Sequence, residues 1–316
     1  MNGQNFCMLT TLLLVNEVDS FPYAADPYYW VLTTSCGHSI GYITPEIALR
    51  FEQCEQAHYF ETNYIDKQIK ISESLDTLEK RTWVLSEVAL SWKLFDQLLS
   101  DGWRDELYTV YFPSSQPYVR LERAFACLLG VVTYGVHIMG YVPAQSTPDG
   151  VLKIWVPRRS MNKQTYPGKL DNTIAGGLAY PYSITENAVK ECYEEAGLLQ
   201  AFLKDNMRAV GAISYMCQPH GSHGHVQPEV QYLYDLVFGS EEENVPCPVD
   251  GEAEDFKLMP IAEVYERMLN GEFKPNCALV VIDFMIRHGY LTWENEPNYL
   301  EILSRIHRKL PFATMN

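Results

Sequence analysis

The sequence predicts an α/β fold in which a smaller α+β domain precedes a larger domain with a mixed sheet flanked by helices. The chain of 316 residues is long enough for two domains. Apolar residues recur at helical spacing in some segments and form short strand-like runs in others. A stretch with two prolines and two serines, residues 113–117, is the clearest break between the two parts. We therefore predict domains at residues 1–115 and 116–316.

The first domain is predicted to combine short strands with two helices. Residues 30–32 and 36–42 have the composition of strands around a turn. Residues 45–54 are predicted as a helix because a proline occupies an early helical position. Residues 82–99 carry apolar side chains at helical spacing, which predicts one packed helix ended by an Asp-Gly pair.

The second domain alternates strand and helix patterns and ends in a helical extension. Its predicted strands lie at residues 128–142, 152–156, 209–216, 230–238 and 255–258. Its last two predicted helices span residues 261–269 and 277–288.

One further helix is predicted within residues 176–198, the most informative segment of the chain. Ser183 and Glu186 form an S-x-x-E capping box, which predicts that the helix starts at Ile184. Gly197 can adopt the left-handed conformation that ends a helix.

Three carboxylates share one face of this predicted helix. Glu191, Glu194 and Glu195 are three and four positions apart, so their side chains meet. Like charges at this spacing repel each other. A bound Mg²⁺ or Mn²⁺ would reverse that effect, because hard cations prefer clustered carboxylate oxygens. Lys190 can pair with a neighbouring glutamate and orient the cluster. The alternative interpretation is a solvated acidic helix, which is common on protein surfaces.

With its flanking glycines, its cap and its Glu-Glu core, the segment closely resembles the signature of the Nudix hydrolases, G-x5-E-x7-R-E-U-x-E-E-x-G-U, in which U is aliphatic. Two positions depart from this pattern, because Tyr182 stands at the first glutamate and Lys190 at the arginine. The resemblance implies a Nudix α/β/α sandwich and the hydrolysis of a small-molecule diphosphate, with Mg²⁺ or Mn²⁺ as the cofactor.

The resemblance also implies roles for individual residues. The three glutamates of the helix would bind the metal and, with Lys190, act in catalysis. Gly176 and Gly177 would let the backbone approach the phosphates closely. A glutamate of an acidic loop, Glu252 or Glu254, would serve as the base or as a further metal ligand, and Glu252 is our choice for the ligand.

Two loop features outside the signature suggest substrate contacts. Arg158 and Arg159 follow a predicted strand, and one of them could clamp a phosphate bidentately. The alternative is a surface pair that serves solubility. A transition-metal site needs a further ligand and a fixed backbone, so we interpret His220, His223 and His225 as part of a mobile lid.

Several strings along the chain resemble a narrower branch of Nudix proteins, related to thiamine pyrophosphokinase, that carries an extra N-terminal domain. They include WRDELY at 103–108, YGVH at 134–137, WVPRRS at 155–160, YPGKLDN at 166–172 and DFMIRHG at 283–289. This closer resemblance implies that the terminal phosphate is removed from thiamine diphosphate and, preferentially, from its oxidised oxo and oxy analogues. The products would be monophosphates.

Two rival functions stay open. One is a Nudix pyrophosphohydrolase of another nucleoside diphosphate-X compound. The other is a catalytically silent Nudix ligand sensor, which the departures at Tyr182 and Lys190 favour. The N-terminal domain fits either function, since it could form a wall of the pocket or drive homodimerisation.

Charge and composition limit the partners. A net charge of −16 leaves no basic surplus to neutralise nucleic acid. The apolar run at residues 7–15 is too short to span a bilayer and lacks a positively charged flank, so we expect no membrane partner and a cytoplasmic location. The eight cysteines form no C-x-x-C pair, which predicts buried thiols.

The remaining polar and aromatic candidates are expected to be structural. Asp283, Arg287 and His288 lie at helical spacing and predict an internal network. The residues predicted to be buried in the core are His137, Trp155, Tyr166 and Tyr215. One of these aromatic rings could also stack on a cationic ring of the substrate.

Overall fold

The computed structural model describes residues 9–24, 26–218 and 224–315. The predicted lid histidines His220 and His223 therefore lie outside the described residues. A first helix, α1, spans Thr11–Val18. The strands of the N-terminal sheet are β1 (Trp30–Thr33), β2 (Ser39–Ile43), β3 (Phe60–Asn63) and β4 (Gln68–Ile71), in the spatial order β2-β1-β4-β3. β1 pairs parallel with β4, and the other neighbours are antiparallel.

Two helices complete the N-terminal core. α2 (Pro45–Gln53) starts where the sequence predicts it, and the Thr44 side chain caps it by accepting a hydrogen bond from the amide of Ile47. α3 (Leu78–Lys93) contributes an apolar stripe to the same core. The side chains buried there include Leu32, Ile69, Ile71, Val84, Leu85 and Val88.

The prediction of a single helix over residues 82–99 is wrong. α3 ends at Lys93, and a separate helix, α4, spans Gln97–Gly102. The cause is Asp96, whose carboxylate accepts a hydrogen bond from the amide of Leu99 at 3.0 Å and so caps a new helix. Arg50 holds the same carboxylate at 2.6 Å.

The predicted break at 113–117 is the turn of a hairpin. Its strands are β5 (Leu107–Tyr111) and β6 (Pro117–Glu122), and a short helix, α5 (Arg123–Leu128), follows directly. The prediction that a strand begins at residue 128 is therefore wrong, because the Glu122 side chain caps α5 and delays the strand. The domain boundary at 115 stays a prediction.

The second sheet has six strands and is mixed, as predicted. They are β7 (Thr133–Val142), β8 (Lys153–Arg159), β9 (Ile174–Gly177), β10 (Met207–Cys217), β11 (Gln227–Val237) and β12 (Ala253–Pro260). The order is β10-β11-β7-β8-β12, and β9 pairs with β7. β7 and β11 are parallel, whereas the other pairs are antiparallel.

Helices cover both faces of this sheet, which confirms the predicted Nudix α/β/α sandwich. α6 (Ile184–Ala196) and α7 (Gln200–Asn206) pack on one face. α8 (Ile261–Leu269), α9 (Pro275–Arg287) and α10 (Tyr299–Ile306) pack on the other, together with α1. The α1 residues Leu14, Val15 and Val18 lie in this second core. α1 thus packs with the larger sheet, although it precedes the N-terminal sheet in the chain.

Most residues predicted to be buried are buried. His137, Trp155 and Tyr215 are each less than a tenth exposed. Tyr166 is 46% exposed, so its assignment to the core is wrong. The predicted network on α9 is confirmed and includes one further residue, Asp235, to which Arg287 donates two hydrogen bonds.

The prediction that the thiols are buried holds for only part of the set. Cys192 and Cys277 are buried, whereas Cys36 and Cys247 are exposed. Cys7 lies outside the described residues. In the part of the chain that the structure describes, no helix is both long enough and apolar enough to cross a membrane.

Candidate active site

The ends of α6 lie where the capping pattern predicts. The Ser183 hydroxyl accepts a hydrogen bond from the amide of Glu186 at 3.3 Å, and the Glu186 carboxylate accepts one from the amide of Ser183 at 2.9 Å. Gly197 has a φ of 67°, the left-handed conformation that ends the helix. Ala188 and Cys192 are fully buried against the sheet. This packing fixes the rotation of α6 and therefore the direction of its carboxylates.

Residues of β9 contact two of these carboxylates. A Cβ at Gly176 would lie 2.3 Å from Cδ of Glu191, so only glycine leaves room for this side chain. The amide of Ala175 donates a hydrogen bond to Oε2 of Glu195 at 3.3 Å. Asn187, a buried residue of α6, donates to the carbonyl of Gly177 at 3.0 Å. Sequence reasoning missed Asn187, although an asparagine beside the apolar stripe of a helix signals a buried hydrogen bond.

The three clustered glutamates, Glu191, Glu194 and Glu195, differ in exposure. The Glu191 side chain is 14% exposed, and that of Glu194 is 47% exposed. Lys190 lies between them, with Nζ at 3.2 Å from Glu191 and 2.7 Å from Glu194. Burial would lower the pKa of Lys190, but its hydrogen bond to Glu194 and the charge of Glu191 raise this pKa above its ordinary value. Lys190 thus contributes a positive charge to the cluster, between Glu191 and Glu194.

Burial and like charge act together on the two inner carboxylates. Burial raises the pKa of Glu191, and the charge of Lys190 lowers it. The charges of Glu194 and Glu252 raise it further, and the net effect is a raised pKa. Burial also raises the pKa of Glu195 well above its usual range, and the charges of Glu191, Asp171 and Glu252 add to the effect. A site in which the pKa values of neighbouring carboxylates are raised can take up a cation or a proton.

Glu195 borders a cavity of about 20 Å³, enough for one water molecule. Arg159, Asp171, Asn172 and Glu252 line it as well. Sequence reasoning missed Asp171, and its only signal was its place in the YPGKLDN string.

The two predicted phosphate-binding arginines are engaged in internal contacts. Arg159 is buried and donates to Asp171 at 2.6 Å and to the carbonyls of Thr165 and Tyr166. Arg158 is half-buried and donates to the carbonyl of Gly168 at 2.8 Å. Both therefore hold the loop between β8 and β9, and their contact with substrate stays a prediction.

Internal contacts are also made by the two glutamates predicted as base or further metal ligand and by the two residues that depart from the signature. One of these glutamates, Glu254, lies in β12 rather than in a loop. Glu252 pairs with Lys163 of the loop between β8 and β9. Glu254 accepts a hydrogen bond from the amide of Met161 at 3.2 Å. The two residues that depart from the signature meet, since Nζ of Lys190 lies 5.7 Å from the ring centroid of Tyr182.

The donor set is chemically suited to a divalent cation. Carboxylate oxygens are the ligands that Mg²⁺ prefers, and a bound cation would relieve the repulsion among Glu191, Glu195 and Glu252. Within residues 9–24, 26–218 and 224–315, no group of three or more His, Cys, Asp or Glu side chains is already arranged to hold a metal ion.

Comparisons with known proteins match both parts of the chain. A model described as NUDIX domain matches residues 145–277, and one described as a domain of unknown function (DUF4743) matches residues 32–133. The chain is 39% identical to the uncharacterized protein YJR142W of Saccharomyces cerevisiae, over 96% of this chain and 92% of that one. It is 38% identical to Nudix hydrolase 20, chloroplastic, of Arabidopsis thaliana, over 78% of this chain and 63% of the relative.

A second protein of the same plant, Nudix hydrolase 24, chloroplastic, is also 38% identical, over 75% of this chain and 62% of the relative. The chain thus spans a little under two thirds of the length of these two plant relatives.

Proposed function

The chain contains a match to the NUDIX domain over residues 145–277, and from this premise we propose that it is a Nudix hydrolase whose substrates are thiamine diphosphate and the oxidised analogues of that compound. The enzyme would release the terminal phosphate and leave a monophosphate. The observation that carries this proposal is the pair of partly buried carboxylates on α6, Glu191 and Glu195, beside the signature glycine Gly176. Partial burial and like charge raise the pKa values of both.

In the proposed reaction, Glu191, Glu194, Glu195 and Glu252 hold Mg²⁺ or Mn²⁺. The metal, when bound, supplies charge neutralisation for the diphosphate and acidifies water. A carboxylate of the site, Glu191 or a loop glutamate, takes the proton from the attacking water. The oxygen of this water forms a bond to the terminal phosphorus as the bond from phosphorus to the bridging oxygen breaks. The electron pair of the broken bond stays on the monophosphate.

The region beside the sheet also supports a cationic substrate. Glu229 on β11 accepts hydrogen bonds from the Tyr215 hydroxyl at 2.5 Å and from Nε2 of Gln231 at 2.9 Å, so its carboxylate is held in place. The exposed ring of Tyr166 offers an aromatic face on which a cationic ring such as thiazolium could stack.

The test is phosphate release from thiamine diphosphate, its oxo and oxy analogues and a panel of nucleoside diphosphate derivatives, with Mg²⁺ present. Glu194→Gln and Glu195→Gln are compared with Glu242→Gln, a change in the exposed acidic loop. We expect the thiamine compounds to turn over fastest and each α6 variant to lose roughly 10²-fold or more, a loss comparable to that of a key electrostatic group. Full activity of Glu194→Gln would contradict the metal assignment.

The same experiment separates the rivals. Turnover of the nucleotide panel alone would favour a Nudix pyrophosphohydrolase of another substrate. Binding of a diphosphate in calorimetry without turnover would favour the ligand sensor, which is supported by the contact between Tyr182 and Lys190. A cytoplasmic location and a homodimer stay proposals, which fluorescence microscopy of a tagged chain and light scattering would test.

A further inference from the structure

Two loops flank the candidate site, and the N-terminal part of the chain contacts both. The first loop, residues 160–169, joins β8 to β9 and carries Lys163, which pairs with Glu252. The second loop, residues 178–183, joins β9 to α6 and continues directly from the signature glycines. Neither contact follows from the signature itself, because the signature lies wholly in the second part.

The hairpin of β5 and β6 contacts the last residue of β9 once and the second loop twice. The hydroxyl oxygen of Tyr108 lies 1.9 Å from where a Cβ of Gly177 would be, so the tyrosine rests directly on this glycine. The amide of Tyr180 donates a hydrogen bond to the carbonyl of Leu107 at 2.8 Å. Arg120 lies over the Tyr180 ring, with Cζ 3.7 Å from the ring centroid.

The end of α4 and the segment that joins it to β5 hold the first loop. The side-chain amide of Gln164 donates to the carbonyl of Asp101 at 3.0 Å. Arg104 donates to the side-chain oxygen of the same glutamine. Residues 101–108, which contain the WRDELY string, thus span both loops.

A shift of the second loop would reach the carboxylates directly. Gly177 is fixed from one side by Tyr108 and from the other by Asn187, which donates to its carbonyl. Its neighbour Gly176 is packed against the Glu191 side chain. Tyr108 is only 6% exposed, so it has little room to move away. A chain of contacts thus runs from Tyr108 through Gly177 and Gly176 to the Glu191 side chain.

We propose that residues 101–108 and Arg120 form a brace that positions the two loops for diphosphate hydrolysis, and that this is a role of the N-terminal part of the chain. The proposal rests on the proposed function, because it assumes that the site hydrolyses a diphosphate. Tyr108 and Arg120 are positioning residues, which act on the reaction through Gly177 and Tyr180.

A double-mutant cycle tests the central contact. Gly177→Ala places a methyl group against the Tyr108 hydroxyl, and we expect kcat for the best-hydrolysed diphosphate to fall about 100-fold, as for a displacement of roughly 1 Å. The KM of the same substrate should change less than about threefold. The double variant Gly177→Ala/Tyr108→Leu should recover kcat at least about tenfold over Gly177→Ala, because the leucine leaves room for the methyl group.

Matched controls separate positioning from folding. Gly239→Ala adds a methyl group with nothing within 4 Å. Tyr118→Phe removes a hydroxyl from the same hairpin, where it accepts a hydrogen bond from the amide of Ser35. Both should keep the kcat of the wild type. If Tyr108→Leu fails to fold, Tyr108→Phe removes only the oxygen that meets Gly177 and takes its place in the cycle.

Hydrogen exchange supplies a readout that needs no substrate. The amides of Leu178 and Tyr180 should exchange at least about tenfold faster in Tyr108→Leu and Arg120→Gln, at unchanged melting temperature. Additive effects in the cycle, or unchanged exchange of these amides, would overturn the brace. A wild-type protein that hydrolyses no diphosphate of the panel would instead defeat the proposed function, and the exchange rates would then decide whether the loops are braced.

Discussion

Two acidic clusters lie on opposite faces of the six-stranded sheet, and they differ in how fully their carboxylates are paired with cations. On the face of α9, Arg287 donates Nε to Asp283 at 2.6 Å and both Nη atoms to Asp235 at 2.8 and 2.9 Å. His288 adds a fourth contact, to Asp235 at 2.8 Å. On the face of α6, the charged partner at hand is Lys190, which contacts Glu191 and the exposed Glu194 but not the inner Glu195.

The pKa values follow this difference. Burial alone would raise the pKa of Asp235, but the hydrogen bonds from His288 and Arg287 outweigh it and hold this pKa below its usual range. The pKa of Glu195 is raised, since burial and three neighbouring carboxylates act in the same direction. Buried charges that are fully paired hold a structure together, whereas buried charges left in excess mark a place where a ligand completes the balance.

The largest expected effect comes from breaking the paired cluster. Arg287→Met leaves Asp235 and Asp283 buried without their main cation, and we expect the free energy of unfolding to fall by about 3–5 kcal/mol. Urea denaturation followed by circular dichroism measures this loss. The kcat of the folded fraction should stay near that of the wild type, because the two clusters lie on opposite faces of the sheet.

Arg267→Met is the matched control. Arg267 pairs with Glu263 and Glu272 on a more exposed surface of α8, where such pairs contribute about 0–1 kcal/mol. A similar loss in both variants would mean that the ion pairs on α9 stabilise the protein no more than exposed pairs do. The comparison of the two faces would then be wrong.

A buried histidine sharpens the comparison. His137 on β7 is 3% exposed, and Nδ1 lies 2.7 Å from Oδ1 of Asn172. Burial lowers its pKa from 6.5 to about 4. Because the folded pKa lies below the unfolded one, the unfolded chain alone binds a proton between these values. Stability should therefore fall by roughly 3 kcal/mol as the pH drops from 6.5 to 4.

His137→Gln removes this titration and keeps a donor for Asn172. The free energy of unfolding of wild type and variant, measured between pH 7 and pH 4, should show a smaller acid loss in the variant. Equal losses would mean that the pKa of His137 is not lowered in the folded protein.

Local signals predicted the part of the site that one segment encodes. The start of α6, its left-handed end at Gly197 and the face shared by its glutamates follow from short-range capping and helical spacing. The mixed sheet and the helices that cover it followed from periodicity. The network of Asp283, Arg287 and His288 followed in the same way.

Contacts between distant segments could not be predicted. Tyr108 and Gly177 are 69 positions apart, and Asp235 of β11 contacts Arg287 of α9. Asp96 capped a new helix where periodicity favoured one continuous helix, because its carboxylate is fixed by Arg50 as well as by the amide of Leu99. The exposure of Tyr166 depends on the loop between β8 and β9, and no local pattern specifies that loop.

The smallest effect is the most direct test of the unbalanced cluster. Glu195→Gln removes a partly buried carboxylate that lies near Glu191, Asp171 and Glu252, and the side-chain oxygen of the glutamine can still accept the hydrogen bond from Ala175. Without divalent metal, we expect the variant to be more stable than the wild type by about 1 kcal/mol at pH 7, because active-site charges are held at a cost to stability. Thermal melting with and without Mg²⁺ measures this, and added Mg²⁺ should stabilise only the wild type. Asp235→Asn, the same change in the paired cluster, should destabilise the protein. If both substitutions destabilise alike, Glu195 is as well paired as Asp235, and the excess charge on α6 does not mark the metal site.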